Sequence, residues 1–391
     1  MKTLAIISEF NPFHNGHKYL LKTAKKLSNC NIAISLMSGN VVQRGEFSFV
    51  EKFTRANIAI NEGFDLILEM PSFITLQSAE NFAYYNIKLM KKLKIDAISF
   101  GIENLSTEEF INKTNYLLDH QEEFNKIVKS LLLKGNSYTK SSLKAIEKLI
   151  GKNYITSNNI LGFEYIKAVN KLNYNLEIIP IRREKSLNNE RELLEENFAS
   201  SSAIRNNFDR KEIKTYMPKY SYESTKKALL QDQQRKISNT DIMSILKYKL
   251  AIEKKTMNEI IGYENGIENY LQSKIIRSSN LNSFIENVTT TRYTKSRIKR
   301  LLLNYIIGNK IYLNKIDINF CNILAFNKNS LSFLKERKNN ILFLNSKKEY
   351  DNLENDQKTA YKSIIDTSNL YYFNDLKLKD YDFKIIRKIR D

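Results

Sequence analysis

Five short apolar runs punctuate the first half of the chain: TLAIIS near 3–8, IAISLM near 32–37, DLILEM near 65–70, AISFG near 97–101 and LEIIPI near 176–181. Each is continuous rather than alternating and rich in Ile and Leu, the pattern of a strand buried on both faces. Between them lie segments with helical periodicity, near 16–29, 51–62, 77–93, 107–133 and 158–172. Strands alternating with helices predict an α/β fold with a doubly wound parallel sheet, whose ligands sit outside the carboxyl ends of the strands. That rule gathers the segments after Ser8, Met37, Met70 and Phe100 around one crevice.

From about residue 201 the pattern changes. Amphipathic stretches follow one another at 201–214, 241–254, 267–277 and 294–307 with almost no strand signal between them, which predicts a mostly helical second domain. Near the C-terminus, CNILAF at 321–326, a helical 329–338 and ILFL at 341–344 predict a small α/β piece. The polar stretch KSLNNERELLEENF at 185–198 is the expected connection, with a helix as the equal alternative, giving domains at 1–200 and 201–391.

Composition narrows the class. No apolar stretch approaches the 18 residues that span a bilayer, and the N-terminus has too short an apolar run for a secretory signal. Cys30 and Cys321 are too few for a disulfide framework, so a cytoplasmic, reduced protein is expected. The net charge of +19 is unevenly placed: residues 1–200 hold 26 Lys plus Arg against 22 Asp plus Glu, whereas 201–391 hold 36 against 21. The excess of the second half lies wholly between 201 and 350. Codon bias would not sort charge by domain; clustered Lys and Arg are the electrostatic footprint of nucleic-acid binding.

The most informative segment follows the first strand: Glu9-Phe10-Asn11-Pro12-Phe13-His14-Asn15-Gly16-His17. Pro12 imposes an extended or turn conformation before the next helix, and Gly16 leaves room for backbone N–H groups to meet phosphate. A helix start at the end of a first strand is an anion site, and two imidazoles beside it can donate to developing phosphate charge. Metal ligation and a purely structural role are the alternatives for His14 and His17. Neither GxxxxGK[ST] nor GxGxxG occurs. A second candidate cradle is Ser200-Ser201-Ser202-Ala203-Ile204-Arg205, three hydroxyls at a helix start followed by an arginine.

The first stretch resembles the HxGH signature of the nucleotidylyltransferases, and the second resembles that superfamily's late Ser/Thr-rich motif ending in Arg. Between them, Ser38-Gly39-Asn40-Val41-Val42-Gln43-Arg44-Gly45-Glu46, Lys52-Phe53-Thr54-Arg55-Ala56 and Gly63-Phe64-Asp65-Leu66-Ile67-Leu68-Glu69-Met70-Pro71 resemble the bacterial tRNA(Met) cytidine acetate ligase family. So do Ser157-Asn158-Asn159-Ile160-Leu161-Gly162 and Ile181-Arg182-Arg183, and more loosely Arg292-Tyr293-Thr294-Lys295-Ser296-Arg297 and Leu324-Ala325-Phe326-Asn327. Phe47-Ser48 departs from the family's usual Pro-Ala.

The resemblance implies an enzyme that makes acetyl-adenylate from acetate and ATP, then acetylates the wobble cytidine of elongator tRNA(Met). ATP contacts are implied at Ile7, Ser8, Glu9, Phe10, Asn11, Pro12, Phe13, His14, Asn15, Gly16, His17, Lys18, Tyr19 and Leu20. Gly101, Asn158 or Asn159, Arg182 or Arg183, and Ser201, Ser202 and Arg205 are implied as well. His14 and His17 are the catalytic candidates, and Mg2+ is expected to neutralise the triphosphate. Ser38, Asn40, Gln43 and Arg44 are candidates for acetate or cytidine, while Arg44 and Arg55 are read alternatively as surface or helix-capping salt bridges. Arg292, Lys295, Arg297, Lys299 and Arg300 fall within nine residues on one probable helix and are the candidates for tRNA backbone contact, with a solvated face as the alternative. No membrane and no protein partner is implied. Two rivals remain: a small-molecule nucleotidylyltransferase, which would have no use for a basic appendage, and a catalytically silent RNA-binding protein.

Overall fold

The computed structural model describes residues 1–136, 138–183, 198–232, 234–375, 381–383 and 386–387. Its strands are β1 (Thr3–Ser8), β2 (Ile32–Ser38), β3 (Val41–Val42), β4 (Glu46–Phe47), β5 (Leu66–Met70), β6 (Ala97–Ile102), β7 (Glu177–Arg182), β8 (Phe320–Phe326), β9 (Leu342–Leu344) and β10 (Ile386–Arg387). β3 and β4 form a small antiparallel hairpin; the rest make one sheet in the order β10-β8-β5-β2-β1-β6-β7, with β9 beside β8. From β5 to β7 every pairing is parallel. The chain winds outward from β1 through β2 to β5, then crosses back to β6 and β7, so the winding reverses between β1 and β6. In such a sheet the crevice at that reversal is where ligands bind.

Both faces of the strands are covered, which is why they read as unbroken apolar runs. Ala5, Ile34, Leu36, Leu68, Ile98 and Phe100 pack under helices Ala79–Leu93 and Ser157–Lys171. Their neighbours Leu4, Ile6, Ala33, Met37, Ile67 and Ala97 pack under helices Asn15–Ser28 and Lys52–Asn61. The expected helix over 107–133 is instead two, Thr107–Asp119 and Gln121–Leu133, broken at His120.

A larger difference concerns the C-terminal region. β8 runs antiparallel to β5, pairing Leu66 with Phe326 and Ile67 with Ala325, and β9 and β10 both pair in parallel with the other edge of β8, at its start and its end. The anticipated small α/β piece thus extends the first sheet rather than standing apart, and the second unit expected over 201–391 is divided. Its helical portion builds its own core from Leu246, Leu250, Leu271, Phe284, Ile298, Leu301, Leu302 and Tyr305. The helix expected over 201–214 is a single short one, Ser201–Asn206, followed by a tight turn at Lys211–Thr215. Apart from Phe198, the connection expected at 185–198 lies outside the described residues. Among the described residues no helix is long and apolar enough to cross a membrane.

Candidate active site

The helix Asn15–Ser28 begins in a capping box made of histidines. His14 is the N-cap and its Nδ1 accepts the Gly16 N–H at 3.1 Å, while Nδ1 of His17 accepts the His14 N–H at 3.2 Å. The two rings stack with centroids 3.8 Å apart. Gly16 has a local reason to be glycine, since a Cβ there would meet His14 Cε1 at 2.9 Å. A nitrogen that accepts a backbone N–H carries no proton, so each neutral imidazole must hold its proton on Nε2. The capping box therefore fixes both rings as N–H donors.

Burial, with the Arg183 charge nearby, drops His14 from its ordinary 6.5 to about 3; burial, with His14 and Arg183, holds His17 well below its ordinary value. Both are neutral at physiological pH. An unfolded chain takes up a proton at each near pH 6.5 that the folded chain refuses, so the associated stability is complete above that pH and is lost as pH falls from 6.5 toward 3. For His14 the loss between pH 7.5 and pH 5 amounts to about 2 kcal/mol. A His14→Asn variant should show a correspondingly flatter urea midpoint over that range; identical slopes for variant and parent would contradict a neutral buried imidazole.

One cleft gathers residues far apart in sequence. His14, Gly16, His17, Tyr19 and Leu20 line it from the first motif, Gly101, Ile181, Arg182 and Arg183 from the ends of β6 and β7, and Phe198, Ala199 and Ser200 from the second motif. Gly101 is overlain by Arg183, whose Nε lies 2.8 Å from where a Cβ would stand. Both arginines of that pair thus reach the cleft. Of the asparagine pair, Asn159 is fully buried and holds the backbone N–H and C=O of Glu103, each at 2.8 Å, whereas Asn158 donates to the Glu103 carboxylate, which also pairs with Arg183. In the second motif it is Ser200, the N-cap, that lines the cleft. Arg205 donates to the Asn11 carbonyl at 2.7 Å and to Ser202 Oγ at 3.3 Å, tying the two motifs together.

On the other side of the first motif stands the β3–β4 hairpin. Asn40, expected to face the crevice, is buried: its Oδ1 accepts the Lys52 N–H at 2.9 Å and its amide donates to Ser368 at 3.5 Å, so it serves the start of helix Lys52–Asn61. Ser38 is buried too, and among the described residues its Oγ has no hydrogen-bond partner. Gln43 donates its N–H to Glu9 Oε1 at 2.7 Å and its amide to the Gln77 carbonyl at 3.2 Å. Arg44 is exposed at the hairpin turn.

The reading of Arg55 as a surface or capping salt bridge is corrected. It is wholly buried and donates to the carbonyls of Val50 at 3.0 Å, Glu9 at 2.6 Å, Ser38 at 3.1 Å and Gly39. This guanidinium clamps the ends of β1 and β2. Next to it, Lys52 Nζ lies 2.8 and 2.9 Å from the Glu69 oxygens and 2.5 Å from Asp382, all three side chains buried. Asn322 donates to Glu69 at 2.6 Å and Ser368 to Asp382 at 2.6 Å, completing a polar network inside the core. Charged residues in a sequence are normally read as surface, and although Lys52, Arg55 and Glu69 fall within the motifs quoted above, nothing in their spacing showed that they would meet inside the core.

The basic helix Lys295–Ile307 is not a uniformly solvated face. Arg292 and Arg297 share Glu264, Lys299 pairs with Glu46 of the hairpin, and Arg300 donates to the Gln43 carbonyl at 3.4 Å. Gly45, at φ +79°, is required here, because a Cβ would strike the Arg300 backbone N at 2.5 Å. Burial lowers Arg300 to about 10, with Arg297 adding to the effect. Of the five, only Arg292 and Lys295 are exposed.

A doubly wound sheet with paired imidazole donors at its winding reversal and a Ser/Arg motif closing the cleft defines a nucleotidyl transferase, and the family model described as HIGH Nucleotidyl Transferase matches residues 1–383. Within that class, the chain belongs to the tRNA(Met) cytidine acetate ligase family. It is 36% identical over 349 residues to the tRNA(Met) cytidine acetate ligase of Thermoanaerobacter sp. (strain X514), covering 86% of each chain. It is 32% identical over 373 residues to that of Caldicellulosiruptor bescii, covering 94% of this chain and 91% of the relative. Thermotoga maritima TmcAL bound with alpha-thio ATP superposes with a TM-score of 0.85 at 25% identity, covering 100% of both chains, and its apo form with 0.87.

Proposed function

We propose that this chain activates acetate with ATP, forming acetyl-adenylate and releasing pyrophosphate, and transfers the acetyl group to N4 of the wobble cytidine of elongator tRNA(Met). The observation that carries the reading is the pair of neutral imidazoles, locked as Nε2–H donors at the β1/β6 reversal, in a chain whose relatives are ligases of this kind. An acetate oxygen attacks the α-phosphorus in line, and catalysis is positioning plus charge stabilisation. His14 and His17 stabilise the α-phosphate oxygens, while Arg182, Arg183, Ser201, Ser202 and Arg205 hold the nucleotide and the departing pyrophosphate. The cleft offers the anion imidazole, guanidinium and hydroxyl donors, so Mg2+ would be held by the phosphate oxygens and supply further charge neutralisation.

Incubation with labelled acetate, ATP and bulk tRNA tests the reading. Label should appear in tRNA as N4-acetylcytidine with stoichiometric pyrophosphate; unlabelled tRNA beside an active adenylyl transfer to some phosphorylated small molecule would overturn it.

The helical portion from 201 onward is proposed as the tRNA-facing part, because it holds the excess charge. Arg292 and Lys295 would touch the backbone, while Lys299 and Arg300 position the hairpin. Arg292→Glu with Lys295→Glu should reduce the salt slope of tRNA binding by about two, one for each phosphate that is no longer neutralised. Unchanged affinity in a salt titration would leave this helix with a structural role only.

A further inference from the structure

Acetyl transfer to a cytidine needs a base, because the exocyclic amine is a weak nucleophile and must lose a proton as it becomes an amide. Neither histidine can supply it. Both Nδ1 lone pairs are occupied by backbone N–H groups and both Nε2 atoms carry the remaining proton. The carboxylates around the loops that follow β1, β2 and β6 are engaged as well: Glu46 with Lys299, Glu51 with the N–H groups of Phe53 and Thr54, Glu69 with Lys52, and Glu103 with Asn158 and Arg183.

Glu9 differs. It follows β1 directly, on the side of the first motif that faces the β3–β4 hairpin and, through it, the helical portion. Its backbone carbonyl is fixed by Arg55 at 2.6 Å and its Oε1 by the Gln43 N–H at 2.7 Å. Among the described residues, its Oε2 accepts no hydrogen bond.

We propose that Glu9 is the proton acceptor of the transfer step, a role that rests on the ligase reading above. The N4 lone pair attacks the carbonyl carbon of acetyl-adenylate, the bond from that carbon to the phosphate oxygen breaks to release AMP, and one N4 proton passes to Glu9 Oε2 and from there to solvent. Burial raises the Glu9 carboxyl above its ordinary value against the opposing pull of the Gln43 N–H and of Arg44, Arg55 and Arg205. A carboxylate raised toward neutral pH is a stronger general base than an exposed one.

Glu9→Gln keeps an acceptor for Gln43 and removes the basicity. Two half-reactions are compared: acetate-dependent ATP–pyrophosphate exchange, and single-turnover transfer of labelled acetyl to tRNA over pH 5–8. Transfer should fall by about 10²- to 10⁴-fold, the usual worth of a general base, and at least ten-fold more than exchange does. In the parent, transfer should rise with pH through one ionisation and then level; Glu9→Gln should lose that limb and Glu9→Asp should retain it. Equal losses in both half-reactions, or a pH limb that survives in Glu9→Gln, would overturn the assignment. Failure of the ligase reading is distinct, since the parent itself would then give neither exchange nor labelled tRNA.

Discussion

A His17→Ala enzyme is expected to lose two to three orders of magnitude in acetate-dependent ATP–pyrophosphate exchange, the usual cost of deleting one preorganised donor to developing oxyanion charge. The side chain holds two positions at once. Its Nδ1 receives the His14 N–H and so closes the capping box, and its remaining Nε2–H is the donor left for phosphate. Alanine removes both, so a second substitution is needed to separate them. Gln at the third residue of a helix is a natural capping-box partner, and His17→Gln should recover most of the thermal stability without the rate. Exchange within five-fold of the parent in His17→Ala would remove this imidazole from the chemistry.

Lys52→Met should be the most damaging single change to stability. It leaves Glu69 and Asp382 buried without their shared counter-charge, and breaking a buried pair by deleting one partner costs about 3–5 kcal/mol. Burial alone would lower the Lys52 pKa, yet the two carboxylates hold it above its ordinary value. A raised amine stabilises the fold at every pH below its unfolded value, and that contribution disappears only as pH climbs through the folded one. In the variant the dependence should invert: the orphaned carboxylates favour protonation, so urea midpoints should improve as pH falls from 8 to 5. Adding Glu69→Gln and Asp382→Asn should restore part of the loss. A Lys52→Met midpoint within about 1 kcal/mol of the parent would mean that water already reaches the network.

The parallel strands and most helices of the first half were legible because burial on both faces leaves an unbroken apolar run, and because crossover helices keep their 3.6-residue stripe. Helices Lys219–Asp232 and Asn355–Tyr371 were not, for a physical reason: they turn Ser221, Thr225 and Asp232, and Gln357, Ser363, Thr367 and Ser368, toward the interior. With these polar residues set among Ala228 in the one helix and Ala360, Tyr361, Ile364 and Tyr371 in the other, the hydrophobic period is interrupted. Pairing of β8 with β5 was equally invisible, since two apolar runs some 250 residues apart in the chain carry no local sign of which edge each will join. For the site, the histidine motif announced itself through residue types and spacing, and the structure places it with Gly101, Arg182 and Arg183 in one cleft. The carbonyl clamp of Arg55 did not, because its partners are backbone atoms that converge only after folding.

The place of β8 between β5 and the C-terminal strands also sets a timetable for synthesis. β5 is complete once Met70 has emerged, but the strand that covers its outer edge ends at Phe326. At roughly 5–20 residues per second that interval lasts tens of seconds, during which the nascent sheet offers the ribosome's surroundings an uncapped, apolar strand of the kind that recruits other strands. Release of the chain before Phe326 would make that exposure permanent, so truncated products of this gene should accumulate as aggregates or chaperone-bound species rather than as a free nucleotide-binding half.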